Sequence, residues 1–228
     1  MTLTRAFTYY FDDPDWVTKL LIMLLITGFT VAFAPALIGL IGVVLLFGYQ
    51  CALIRNVRAN YLPTLPAWHD LGSMIMEGVP VLIAYVVYSL PNLFMGAFSW
   101  LVTTLSADTD IVSSGVILTI SCCLLPFILL FNLVALPMFT MAQGEYAHSG
   151  NASVFFQLGA LFDHFRTHFD AIVQWWIGMI LFYLLMSFLA VTVIGIFAAL
   201  AIAVPITGAL AGMLYSATVD APEKPKRK

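Results

Sequence analysis

The stretch GYQCALIRNVRANYLPTLPAWHDLGSMIMEG, residues Gly48–Gly78, decides how the rest of the chain is read. A long uncharged run ends inside it at Arg55 and Arg58, prolines follow at Pro63 and Pro66, and a second apolar run opens at Val79. Charge that appears only where an apolar run stops marks the edge of a membrane.

Upstream, no charged residue stands between Lys19 and Arg55. One helix over residues 17–54 would be about 57 Å long, against a hydrocarbon core of about 30 Å. The run is therefore two spans, 17–34 and 36–54, parted at Pro35, which disfavours helix in the residue before it. Ahead of them, Phe7, Tyr10 and Phe11 share a helical face, so residues 5–11 are expected to lie on the membrane surface. Asp13 is expected to accept from the first-turn amides of the span, with Pro14 at its first position and Trp16 at the interface.

Composition agrees. Of 228 residues, 62% are hydrophobic and 9% charged, and the mean hydropathy is +1.00, values that belong to an integral membrane protein. There is no basic field for nucleic acid. A cleavable leader is not expected, because Asp12, Asp13 and Asp15 precede a first run too long for one. Cys51, Cys122 and Cys123 all lie in apolar segments, where a thiol is a small hydrophobe rather than half of a disulfide or zinc framework.

Downstream, Pro66 is read as the first residue of a surface helix over 67–77, with Trp68, Leu71, Met74 and Ile75 on one side and Asp70, Ser73 and Glu77 opposite. Spans follow at 79–105, interrupted at Pro91, and at 115–141, with a loop carrying Asp108 and Asp110 between them. Residues 142–153 read as a polar connection. A second amphipathic helix over 154–169 aligns Phe155, Leu158, Phe162, Phe165 and Phe169, with Asp163, His164, Arg166, His168 and Asp170 on its other side. The uncharged residues 171–219 make a last hairpin, with spans 171–192 and 195–217.

The expected fold is an all-α polytopic bundle: a single transmembrane domain over 1–219, six spans in three hairpins, each preceded by a cytoplasmic interfacial helix, and a disordered cytoplasmic tail over 220–228. With six spans, Arg5, Lys19, Arg55, Arg58, Arg166, Lys224, Lys226, Arg227 and Lys228 all fall on one side. Cytoplasmic loops hold the excess of lysine and arginine, so both termini are expected there.

Phe11, Asp13, Pro14, Trp16 and Lys19, then Gly48-Tyr49, Arg55, Arg58, Leu65-Pro66, Trp68, Asp70 and Gly78, stand in an order that resembles the domain of unknown function 4013 family of prokaryotic membrane proteins. The resemblance covers most of the chain, with its distinctive residues in the first third. It implies a six-helix protein of a bacterial or archaeal plasma membrane and brings no activity and no catalytic residue.

Candidate chemistry is sparse. His164 and His168, four apart on a helix, have a spacing metal sites use, but a third ligand such as Asp163 would lie about 100° round the helix from His164. The plainer reading is a hydrated helix face. His69, Asp70, Glu77, Glu145 and His148 have the residue types of an acid/base site, without a nucleophile and base pair or a cofactor motif among them.

Inside the membrane, Pro91, Asn92, Pro126, Asn132 and Pro137 offer either a polar pathway through carbonyls freed by proline or asparagines that bond across helices. Gly208, Gly212 and Ser216 read as a close packing face. No Asp, Glu, Lys or Arg is expected at mid-membrane, unlike proton-coupled carriers.

The reading that follows is a non-catalytic membrane protein that organises or assists other membrane subunits, without a cofactor, using Trp68, Leu71 and the phenylalanine stripe as a platform for partner or lipid. The alternatives are a transporter or lipid-handling protein with a pathway between the third and fourth spans, and a membrane-bound hydrolase.

Overall fold

The computed structural model describes residues 3–35, 38–105 and 111–219. The Asp108/Asp110 loop and the tail 220–228 lie outside them. All regular structure among the described residues is helical: α1 (Leu3–Thr8), a 3-10 turn (Tyr9–Asp12), α2 (Trp16–Ala32), α3 (Gly39–Ala59), α4 (Leu71–Leu105), α5 (Ile111–Ser149), a second 3-10 turn (Ala152–Phe156), α6 (Leu158–Thr167), α7 (Phe169–Leu189) and α8 (Val193–Val219).

Among the described residues five helices, α3, α4, α5, α7 and α8, are long and apolar enough to cross a membrane. The sixth candidate is a broken one: α2 has 17 residues and meets the segment Leu3–Asp12 at 103°. The protein is thus a polytopic membrane helix bundle.

Helix α3 lies inside it, touching α2, α4, α5 and α8. The two glycines that bound the opening stretch explain how. A Cβ on Gly48 would strike the backbone carbonyl of Met74, and one on Gly78 would strike the carbonyl of Val44, so α3 and α4 cross backbone to backbone where neither carries a side chain. Such contact is a usual way for membrane helices to associate where burial from water gives no driving force. Gly208 and Gly212 on α8 instead make room for side chains of α3: an added Cβ would come within 2.6 Å of the Leu53 side chain and 2.8 Å of that of Val57.

Several elements begin or end where the sequence pattern does not put them. Asp13 does not cap α2 directly: its Oδ1 accepts from the Asp15 amide at 2.9 Å, and its Oδ2 accepts from Lys19 Nζ at 2.7 Å and the Leu65 amide at 3.0 Å. Lys19 Nζ also donates to the Leu65 carbonyl at 2.9 Å. Both side chains are buried, so the ion pair pins the 60–70 loop to the entry of α2.

No separate helix occupies 67–77. Asp70 starts α4 instead, its Oδ1 accepting from the Ser73 amide at 3.1 Å, a bond that holds its carboxyl below the ordinary value. Trp68 precedes the helix and stacks on Tyr49, ring centroids 4.4 Å apart. Of the proposed stripe, Met74 is buried against α3 while Leu71 and Ile75 are exposed.

Pro91 does not interrupt α4, and α5 continues through 142–149, where Ala142, Gln143 and Gly144 are buried in the bundle. Proline persists in such helices because neighbours satisfy the carbonyl it frees. Pro137 leaves the Leu133 carbonyl without its helical donor, and Trp176 Nε1 from α7 donates to it at 3.3 Å.

The stretch 154–169 is likewise not one helix. It breaks at Gln157 between the second 3-10 turn and α6, and α6 ends before His168.

Candidate functional site

The charged end of the bundle is a set of closed pairs. Arg55 grips Glu77 with two bonds of 3.1 and 2.9 Å and reaches the Ala147 carbonyl at 3.2 Å, tying α3 to α4 and α5. One turn on, Arg58 donates to the Tyr215 hydroxyl at 3.3 Å, and that hydroxyl donates to Glu145 Oε2 at 2.8 Å. His148 stacks on the Tyr215 ring at 5.2 Å, and the Arg58 guanidinium lies 5.1 Å from its centroid. Deeper in the bundle, Gln143 donates to Gln50 at 3.2 Å and Gln50 to Thr207 at 2.9 Å.

These groups divide the acid/base candidates. Glu77 faces Arg55, Glu145 and His148 gather at Tyr215, and Asp70 sits apart on the cap of α4 with His69 exposed beside it. A cleft of about 260 Å³ beside Tyr215 is bordered by Glu145, Gln157 and His164.

His164 and His168 are neighbours, with centroids 5.7 Å apart. His168 Nδ1 lies 3.2 Å from the His164 carbonyl. Among the described residues no three His, Cys, Asp or Glu side chains group as metal ligands.

Asn92 and Asn132 meet face to face, each amide nitrogen bonded to the other's oxygen at 2.9 and 3.0 Å, and Asn132 also donates to the Ile128 carbonyl at 2.7 Å. The pair joins α4 to α5. Pro91 and Pro137 flank it, with Pro137 buried and Pro126 exposed further along α5.

Beside this pair α4 and α5 stand apart and leave a groove of about 880 Å³. Val87, Tyr88 and Pro91 form one wall, and Phe127, Leu130, Phe131, Val134, Ala135 and Met138 the other. The second 3-10 turn and α6 roof it with Phe155, Phe156, Leu158, Gly159 and Phe162.

The roof is held from below. The Tyr88 hydroxyl donates to the Phe155 carbonyl at 2.9 Å, and the Phe155 ring is wholly buried against Phe139 and Tyr146. Of the phenylalanine stripe, then, Phe155 belongs to the core, Phe165 is half-buried, and Leu158, Phe162 and Phe169 are exposed; Leu161, outside the stripe, is the buried residue of α6.

The pathway expected as an alternative between the third and fourth spans falls where the groove lies, with Pro91 in its lining, but sequence reasoning did not find the groove's roof or the Gln50, Gln143 and Thr207 relay. A signal existed for the relay: Gln50 and Gln143 each stand beside an uninterrupted apolar run. For the roof the one local hint is Gly159, a residue without a side chain inside an amphipathic helix, where an added Cβ would meet nothing within 4 Å.

A family described as "Protein of unknown function (DUF4013)" has a model that matches residues 31–204. No curated protein and no solved structure matches the chain.

Proposed function

The chain belongs to the DUF4013 family of unknown function, and from the groove between α4 and α5 we propose that it is a non-catalytic, lipid-handling protein of the plasma membrane. The supporting observation is the match between groove and leaflet. Both walls of the groove lie inside the candidate spans Leu71–Val102 and Leu124–Ser149, so lipid chains are the solvent beside them. Its α5 wall runs from Phe127 to Met138, about 16 Å at 1.5 Å per residue, close to half of a hydrocarbon core of about 30 Å.

That is the depth of one lipid chain. A partner helix crossing the whole bilayer needs about 30 Å. The volume also falls in the range of small-molecule sites, roughly 300 to 1,000 Å³. A polar solute has less to use here, because the Asn92 and Asn132 amides are already paired.

In this reading the charged end, with Arg55, Arg58 and Arg166, faces the cytoplasm together with both termini, and the groove opens into the inner leaflet.

The reading as an organising subunit keeps one specific support. Helices α4 and α5 have 35 and 39 residues, about 52 and 58 Å long, and Phe94 and Trp100 on α4 are about 70% exposed (70% and 69%). A second membrane protein would find uncovered apolar surface there.

The test is electron spin resonance of a chain-labelled phospholipid with the purified protein in nanodiscs. The reading requires a motionally restricted component that Gly159→Trp, which fills the groove mouth, removes. No restricted component, or one untouched by the substitution, contradicts it.

A further inference from the structure

Resting on the lipid-handling reading of the groove, we infer that its occupant is an anionic phospholipid of the leaflet on the charged side, with its phosphate on Arg166. The juxtaposition of a chain-length apolar groove with Arg166, one turn of α6 beyond its lining residue Phe162, carries this.

Helix α6 turns about 100° per residue, and Leu158, Gly159 and Phe162, which line the groove, define the side it presents to it. Arg166 follows Phe162 by one turn and lies within about 35° of that direction. The other charged or titratable side chains of α6 point elsewhere: Asp163 is about 95° away and His164 about 165° away, His164 bordering the cleft on the opposite side of the helix. Arg166 is exposed, as are Leu158 and Phe162. A helix that exposes phenylalanine and arginine on adjacent positions is solvated on both only at the boundary between acyl chains and headgroups. There Arg166 sits at the level of lipid phosphates, and a guanidinium binds a phosphate through parallel charge-assisted bonds.

The same chemistry would bind a free phosphate ion. The apolar length behind it commits the site to a lipid.

The experiment is native mass spectrometry of the full chain, equilibrated with equal amounts of phosphatidylglycerol and phosphatidylcholine bearing the same chains. The wild type retains phosphatidylglycerol about fivefold over phosphatidylcholine, the effect of one surface cation on an anionic lipid. Arg166→Gln brings the ratio to about one without lowering total bound lipid, and Arg166→Lys restores most of the preference.

An unchanged ratio in Arg166→Gln overturns the inference and leaves the groove reading standing. So does a preference lost on removing residues 221–228, which would move the recognition to the tail lysines, or one abolished by excess inorganic phosphate, which would make the free ion the ligand. Bound lipid that persists in Gly159→Trp, with both variants unfolding at the wild-type temperature, overturns the groove reading and this inference with it.

Discussion

The ammonium of Lys19 lies 2.7 Å from the carboxylate of Asp13, with the Asp13 side chain shut off from solvent and that of Lys19 11% exposed. Charges so enclosed persist only when paired, and removing one partner from a buried pair costs about 3 to 5 kcal/mol. Asp13→Ala is therefore expected to lower the unfolding temperature sharply in detergent and to free the 60–70 loop, seen as faster hydrogen exchange at the Leu65 amide. Adding Lys19→Met should recover most of the loss. Equal damage from the single and double variants would show that the pair does not hold the loop.

The crossing of α3 and α4 makes a second prediction. Gly48→Ala and Gly78→Ala place a methyl against backbone that cannot give way, and overpacking of this kind costs about 1 to 3 kcal/mol or more. Gly28→Ala, where nothing lies within 4 Å of the added Cβ, serves as the control and should leave stability unchanged or slightly raised. Thermal unfolding of the three variants, read side by side, checks this. Indistinguishable curves would mean the helices do not meet at these glycines.

Asn92 and Asn132 satisfy one another across α4 and α5. Asn132→Leu should cost about 1 kcal/mol, the usual worth of an interhelical bond in a membrane. The double replacement with leucine should cost less than the sum of the singles, because no amide is then left unpaired. Additive losses in a double-mutant cycle would separate the two residues.

How far the sequence reaches is visible in these same elements. Uncharged runs bounded by Lys19, Arg55 and Asp170 reveal the spans because charge and hydrocarbon exclude each other, and that signal is local. Helix ends depended on partners the sequence does not display. Asp70 takes the start of α4 because its carboxylate finds Ser73, and Pro91 and Pro137 pass without a break in their helices. Phe155 matched the phenylalanine period yet turns into the core through its contacts with Phe139 and Tyr146. The groove falls between the spans where a pathway was expected as an alternative, but its roof, a 3-10 turn bonded to Tyr88, depends on a contact the sequence does not display.

From the placement of lysine and arginine, both termini are expected in the cytoplasm. Cysteines introduced at Asp108 and at Lys226 are expected to react with an impermeant thiol reagent from opposite sides, position 108 in intact cells and position 226 only after the membrane is opened. Labelling of both from the same side contradicts the arrangement with cytoplasmic termini.

The central claim, that the α4–α5 groove holds a lipid chain, is tested most directly by photo-crosslinking with a phospholipid carrying a diazirine midway along one chain, followed by peptide mapping. Leu25 on α2 and Phe188 on α7 are more exposed than Leu130 on the groove, at 72 and 77% against 66%, so exposure alone spreads the label over all three. A held chain concentrates adducts on residues 87–91 and 127–138, and Gly159→Trp disperses them. Adducts distributed in proportion to exposure, and unmoved by Gly159→Trp, would contradict the account.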